Sequence, residues 1–241
     1  MSKKNLMRST GVIGSANGVS RILGFVRDII FANFFGTNPA AQAFIVAFKI
    51  PNTLRDLVGE GAMNAAIVPV LSEYKAVKDG REFAHAARVL FNISFAVLTT
   101  LTIIGMIWSP AIIRIVAPGF TADPEEFALT VTLTRIMFPY LILIGLTAYS
   151  MGVLNTMNHF ALPAFGPAIM NIALIASFLL CPKFGVMGLA AGVLVGGLLQ
   201  LLINIPAMDR HGVRVDLKDG IRHPAAKCIG RLLVPRTLGS A

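Results

Sequence analysis

The chain has 241 residues, of which 14% are charged and 55% hydrophobic, with a formal net charge of +9 and a mean hydropathy of +0.73. A soluble domain carries about 25% charged residues, so this composition excludes an ordinary water-soluble globule and points to a bilayer. The positive excess has two ordinary readings, nucleic acid or membrane. Nucleic-acid binding needs a basic stripe on a soluble fold; none is separable here from the apolar blocks, so no nucleic-acid partner is expected.

The N-terminus, MSKKNLMRSTGVIGSANGVSR, starts basic, but Ser15, Asn17 and Ser20 interrupt the apolar core that a cleaved signal peptide needs. It is expected to start in the cytoplasm and enter an uncleaved first helix over about 9–36. The turn signals Gly36, Asn38 and Pro39 separate that helix from a second over about 40–71, which Pro51 should kink by removing a backbone donor. Further blocks follow at about 86–117, 126–153, 161–182 and 184–207. These blocks are long enough for a hydrocarbon core that takes about 20 helical residues to cross. The glycines of GLAAGVLVGGLLQ (188–200) are predicted to be close-packing positions in the last of them.

The expected fold class is therefore all-α, a polytopic transmembrane helical bundle with about six spans in 1–207. A basic cytoplasmic linker is expected over 208–227, and 228–241 reads as the start of a truncated seventh helix. Lys and Arg concentrate before the first helix (Lys3, Lys4, Arg8), between the second and third (Lys75, Lys78, Arg81, Arg88) and after the sixth (Arg210, Arg214, Lys218, Arg222, Lys227). The opposite links hold Lys183, with Arg114 nearby, and the acidic Asp123, Glu125 and Glu126. The positive-inside rule then puts both ends in the cytoplasm.

Cys181 and Cys228 lie far apart without metal-ligand spacing and read as two unreactive thiols rather than a disulfide framework. His85, His159, His211 and His223 are scattered in loops and helix ends. No Ser/His/Asp grouping or phosphate-cradling glycine loop is present. No catalytic residue, metal or cofactor is expected, and the chain does not read as an enzyme.

The informative residues are polar groups inside apolar blocks. Asn17, Arg21, Gly24 and Asp28 fall four, three and four residues apart and share one helical face, with Arg27 about 100° away. Lys49, Asn52, Asp56 and Glu60, three, four and four residues apart, follow the same rule on the second helix, flanked by Arg55. Arg135 is a further isolated cation. Each such charge costs about 2.5–3.5 kcal/mol at a helix centre in lipid, so it should face protein or water. Two readings fit. Arg27 with Asp28, and Arg55 with Asp56 or Glu60, could be neutralising pairs that hold helices together, with Lys49 and Glu60 snorkelling near an interface. Alternatively both faces line one hydrated cavity. Cations outnumber acids among these residues, which favours a cavity for an anion, and the rigid fork of arginine suits phosphate oxygens.

SRILGFVRD (20–28), AFKIPNTLRDLVGEGAMNAAIVPVLSEY (47–74), APGF (117–120), FPY (138–140) and LNTMNHFALPAFGPAIMNI (154–172) together resemble the MurJ/MviN lipid II flippase family, within the multidrug/oligosaccharidyl-lipid/polysaccharide exporter superfamily. The likeness runs through essentially the whole chain, in order. It implies the N-terminal lobe of a two-lobed, alternating-access transporter in the cell inner membrane, partnered by a missing C-terminal lobe and membrane lipids. It implies lipid II, the undecaprenyl-pyrophosphate-linked peptidoglycan precursor, as substrate, moved to the periplasmic leaflet. It implies that Arg21, Arg27 and Arg55 line the central cavity, and that Asp28 and Glu60 occupy family-typical acidic positions. With Lys49 and Asn52 these form the candidate substrate-binding set. One departure is Gln42, where the family often carries an acid. The competing expectations are an exporter of another polyprenyl-linked saccharide, an organic-cation exporter, or a non-transporting truncated membrane fragment. A drug-cation exporter should present net acidic, aromatic-lined cavities, whereas this chain presents cations and a single tryptophan, Trp108, expected at the periplasmic interface.

Overall fold

The computed structural model describes residues 3–55, 64–77, 79–157, 159, 164–210 and 212–213, with the side chains of 3–10, 12, 13, 55 and 64–66 left aside. Among the described residues the chain is built of helices. They are α1 (Lys3–Phe35), α2 (Pro39–Arg55), α3 (Asn64–Val77), α4 (Gly80–Val116), α5 (Pro124–Met137), α6 (Tyr140–Thr156), α7 (Gly166–Leu180) and α8 (Gly185–Arg210). Short 3-10 turns at Pro118–Ala122 and Pro182–Phe184 join α4 to α5 and α7 to α8.

Local chemistry sets the helix ends. Gly36 adopts φ +53°, the left-handed conformation that glycine takes cheaply, and its N–H donates to the Ala32 carbonyl at 2.9 Å. Two residues on, the Asn38 side chain accepts from the Ala41 N–H at 2.7 Å and caps α2, with Pro39 in its first turn. Asp123 does the same for α5, accepting from the N–H of Glu125 at 2.9 Å. The acids Glu125 and Glu126 in that first turn complement the helix dipole.

The sequence block at 126–153 is divided: α5 and α6 meet at Phe138–Pro139, where proline interrupts the hydrogen-bond ladder without ending the apolar run. The block at 40–71 is α2 followed by the start of α3, with 56–63 outside the described residues. Three described stretches are long and apolar enough to cross a membrane, Gly80–Val116, Pro124–Thr156 and Pro182–Arg210, and α7 is a shorter apolar helix. Large apolar side chains such as Ile104, Ile107, Ile115, Leu180 and Leu202 face outward. In water such patches promote association; in a bilayer they are the natural surface.

The centre of the bundle is α6, buried along most of its length. On one side it packs with α3, α4 and α8 around Leu71, Leu90, Leu98, Tyr149 and Leu201. On the other, α2, α5, α7 and α8 surround it with Ala47, Leu133, Met170, Leu174 and Leu189. The Tyr149 hydroxyl, fully buried, donates to the Ala87 carbonyl and ties α6 to α4. Helix α8 meets α7 through glycines: a Cβ on Gly192 would lie 2.5 Å from Ser177 Oγ, and one on Gly196 would lie 2.5 Å from Met170 Sδ. Helix α1 is attached differently, lying against α7 with Ile22, Phe25 and Ile29 turned outward.

Candidate functional site

Between α1 and α2, floored by α7 and α8, lies a cleft of about 330 Å³. Its polar lining is Arg27 and Asp28 from α1 with Lys49 and Asn52 from α2. Phe31, Phe44, Phe48 and Phe178 form its apolar wall. Four of the candidate residues are thus brought together from two helices. The charge on this lining is two cations against one carboxylate.

Arg27 is the best-anchored group. Its Nε and Nη2 donate to Asp28 Oδ1 at 3.0 and 2.8 Å, and its Nη1 donates to Asn171 Oδ1 at 3.0 Å. The Arg27 side chain is 32% exposed and that of Asp28 is 67% exposed, so the pair opens onto the cleft rather than closing it. The second Asp28 oxygen and the remaining guanidinium protons have no partner among the described residues. Lys49 is exposed and has no hydrogen-bond or ionic partner among the described residues. Pairing and openness, alternatives on the sequence, coexist here.

Arg21 lies on the Asp28 face of α1, exposed, and is not among the residues lining the cleft. The side chain of Arg55 and the whole of Glu60, like Asp56, lie outside the described residues. Gly24 turns toward α7 instead of open space, with an added Cβ 3.5 Å from Asn171 Nδ2. Gln42 donates through Nε2 to the Thr37 carbonyl at 3.1 Å, a bond a carboxylate cannot make. Trp108 is 64% exposed on the outer surface of α4.

Asn171 escaped the sequence reading although its signal was present: it is a polar residue inside the apolar run GPAIMNIALIASFLL. The aromatic wall was missed as well. Four phenylalanines line the cleft, so aromatic lining does not set this chain apart from a cation exporter, and the distinction rests on charge alone.

Arg135, the other isolated cation, serves packing. Pro110 lacks an N–H, which leaves the Met106 carbonyl four residues earlier without its helical donor. Arg135 Nε lies 3.2 Å from that carbonyl and 3.1 Å from Ser109 Oγ, which itself donates to the same carbonyl at 3.0 Å.

Fold and cleft together define a multi-pass helical membrane protein with a cation-rich recess. The family model described as Lipid II flippase MurJ matches residues 31–241. The chain is 41% identical over 207 residues to the "Probable lipid II flippase MurJ" of Buchnera aphidicola subsp. Acyrthosiphon pisum, a match covering 84% of this chain and 40% of that protein. It is 35% identical over 240 residues to the "Lipid II flippase MurJ" of Burkholderia cenocepacia, covering 97% and 46%. Among solved structures it resembles "Lipid II flippase MurJ, inward closed conformation", with a TM-score of 0.76 and 30% identity over 94% of this chain and 46% of that one. A MATE transporter in complex with MaD3S shares the fold alone, at TM-score 0.75 and 18% identity over 98% and 53%. The chain belongs to the MurJ lipid II flippase family. It spans less than half the length of these curated relatives.

Proposed function

We propose that this chain forms the N-terminal, substrate-facing lobe of a lipid II flippase of the inner membrane, both of its ends being cytoplasmic. The flippase carries the undecaprenyl-pyrophosphate-linked precursor to the periplasmic leaflet by alternating access, with a C-terminal lobe completing the path. The observation that carries this reading is the joint placement of Arg27, Lys49, Asn52 and Asp28 on one open cleft. A pyrophosphate headgroup cannot enter hydrocarbon bare, because an unpaired charge loses its hydration without compensation. Arg27 and Lys49 replace that hydration. Arg27 offers a planar fork to phosphate oxygens and Lys49 a mobile point charge. Asp28 holds the fork in register and competes with the guest for it, which keeps binding reversible. Arg21, Arg55 and Glu60 belong to the same proposed set. The cleft has room for the pyrophosphate and part of the adjoining sugar; the isoprenoid tail stays in lipid.

The test is direct binding. The chain, purified into nanodiscs, is titrated with lipid II and, separately, with a lipophilic organic cation. Saturable binding of lipid II that is lost in Arg27→Ala and weakened in Lys49→Ala supports the reading. Binding of the cation with indifference to lipid II overturns it.

A further inference from the structure

We infer that Asn171 is the positioning residue for Arg27, a neutral clamp that fixes the guanidinium at the α1–α7 seam without cancelling its charge. The effect on anion binding rests on the function proposed above; the clamp itself rests on geometry alone. Asn171 is 7% exposed and uses both ends of its amide. Oδ1 accepts from Arg27 Nη1 at 3.0 Å, and Nδ2 donates to the Ser20 carbonyl at 3.0 Å, nearly two turns earlier on α1. One side chain on α7 therefore grips α1 at two heights. Gly24 faces the amide at the same seam: an added Cβ would stand 3.5 Å from Asn171 Nδ2, ordinary van der Waals contact, so a methyl fits there while a larger branched side chain would press on the amide.

The chemistry of the choice is specific. An arginine beside a single carboxylate swings about its long stem, and a fork recognises a phosphate only when its plane is held. Asp28 grips one edge of the guanidinium through Nε and Nη2, and Asn171 grips the far nitrogen Nη1. Three donors on three nitrogens define the plane. A second carboxylate at 171 would hold it as well but would leave Arg27 between two anions and remove its attraction for a third. Serine is too short to span Ser20 and Arg27 together. Only a neutral group with an acceptor and a donor satisfies both contacts.

The experiment reads order and binding separately on the full chain in nanodiscs. Nitrogen-15 NMR of the arginine side chains reports whether rotation of the Arg27 guanidinium is hindered, and lipid II titration reports affinity. Asn171→Ala should free the rotation and weaken lipid II binding by about tenfold or more, the effect of losing one hydrogen bond to a charged group. Asn171→Asp should keep the rotation hindered and still weaken binding. In an Arg27→Ala background, Asn171→Ala should cost nothing further. Hindered rotation persisting in Asn171→Ala, undiminished binding in Asn171→Asp, or an additive loss in the double variant would each overturn the inference. If the wild-type chain ignores lipid II, the proposed function fails while the NMR result still decides the clamp. Should Asn171→Ala not fold, Gly24→Val crowds the amide from the α1 side and is expected to free the Arg27 rotation; rotation still hindered there overturns the inference too.

Discussion

Two regions of this molecule handle polar groups in opposite ways. Around α6, apart from the Tyr149 hydroxyl that reaches Ala87 on α4, a set of threonine and serine hydroxyls turns back onto its own helices. Thr130, Thr134, Thr147, Ser150 and Thr156 each donate to the carbonyl four residues earlier, at 2.7–2.9 Å. Even the cation Arg135 is consumed in satisfying a carbonyl that Pro110 had orphaned. In the α1–α2 cleft the polar groups reach across helices or into open space. Arg27 spans to Asn171, Asp28 is two-thirds exposed, and Lys49 has no described partner. A charge in an apolar block is therefore not a site by itself. Where the surrounding backbone leaves an unsatisfied acceptor, the charge is structural; where it does not, as in the cleft, the charge stays open.

That contrast can be broken or sharpened by substitution. The largest effect is expected at Arg27. Removing one partner of a hydrogen-bonded charge pair with a bound guest costs about 2–5 kcal/mol, so Arg27→Ala should lower lipid II affinity in the titration by about 30-fold to 5,000-fold, with little change in thermal unfolding. Arg27→Lys should fall short of rescue because the flat fork is gone. Next comes the α7–α8 contact. Gly196→Val drives a side chain into Met170, and overpacking of this kind costs about 1–3 kcal/mol, to be read as a lower melting temperature in detergent by circular dichroism. Arg135→Ala should cost about 1 kcal/mol, the net worth of one hydrogen bond, and leave lipid II binding unchanged; a binding defect there would erase the distinction between the two regions. The smallest effect belongs to Ser150→Ala, below about 1 kcal/mol, because its bond returns to a carbonyl already used by its own helix. A large loss at Ser150 would mean that the serine and threonine hydroxyls of the bundle link helices as Tyr149 does.

Much of this was open to inspection in the linear chain. The turn at Gly36, Asn38 and Pro39 follows from residue chemistry and forms as a glycine stop followed by an asparagine cap. The glycines of 188–200 include Gly192 and Gly196 at the α7 contact, because a helix without side chains there is the only one that comes so near. The candidate site was legible in part. Asp28, Lys49 and Asn52 fall on faces that helical spacing identifies, and they meet in the cleft. Arg27, placed by spacing on a flank, is the residue most tightly held, and Gly24, placed on the polar face, turns to α7.

The amino-acid order alone determined that this chain belongs in a bilayer as helices, and which of those helices carry charge, because burying polar groups in hydrocarbon is costly whatever the neighbours are. Tertiary structure decided which charges meet. A helical repeat sets angles about one axis only; the direction of that face depends on which side of α1 rests on α7. Contact through Gly24 and Asn171 rotates Arg27 into the seam and leaves Arg21 outside the cleft. The same three-dimensional accounting gave Arg135 to a proline's unmatched carbonyl, a partner 29 residues away that no periodicity connects to it.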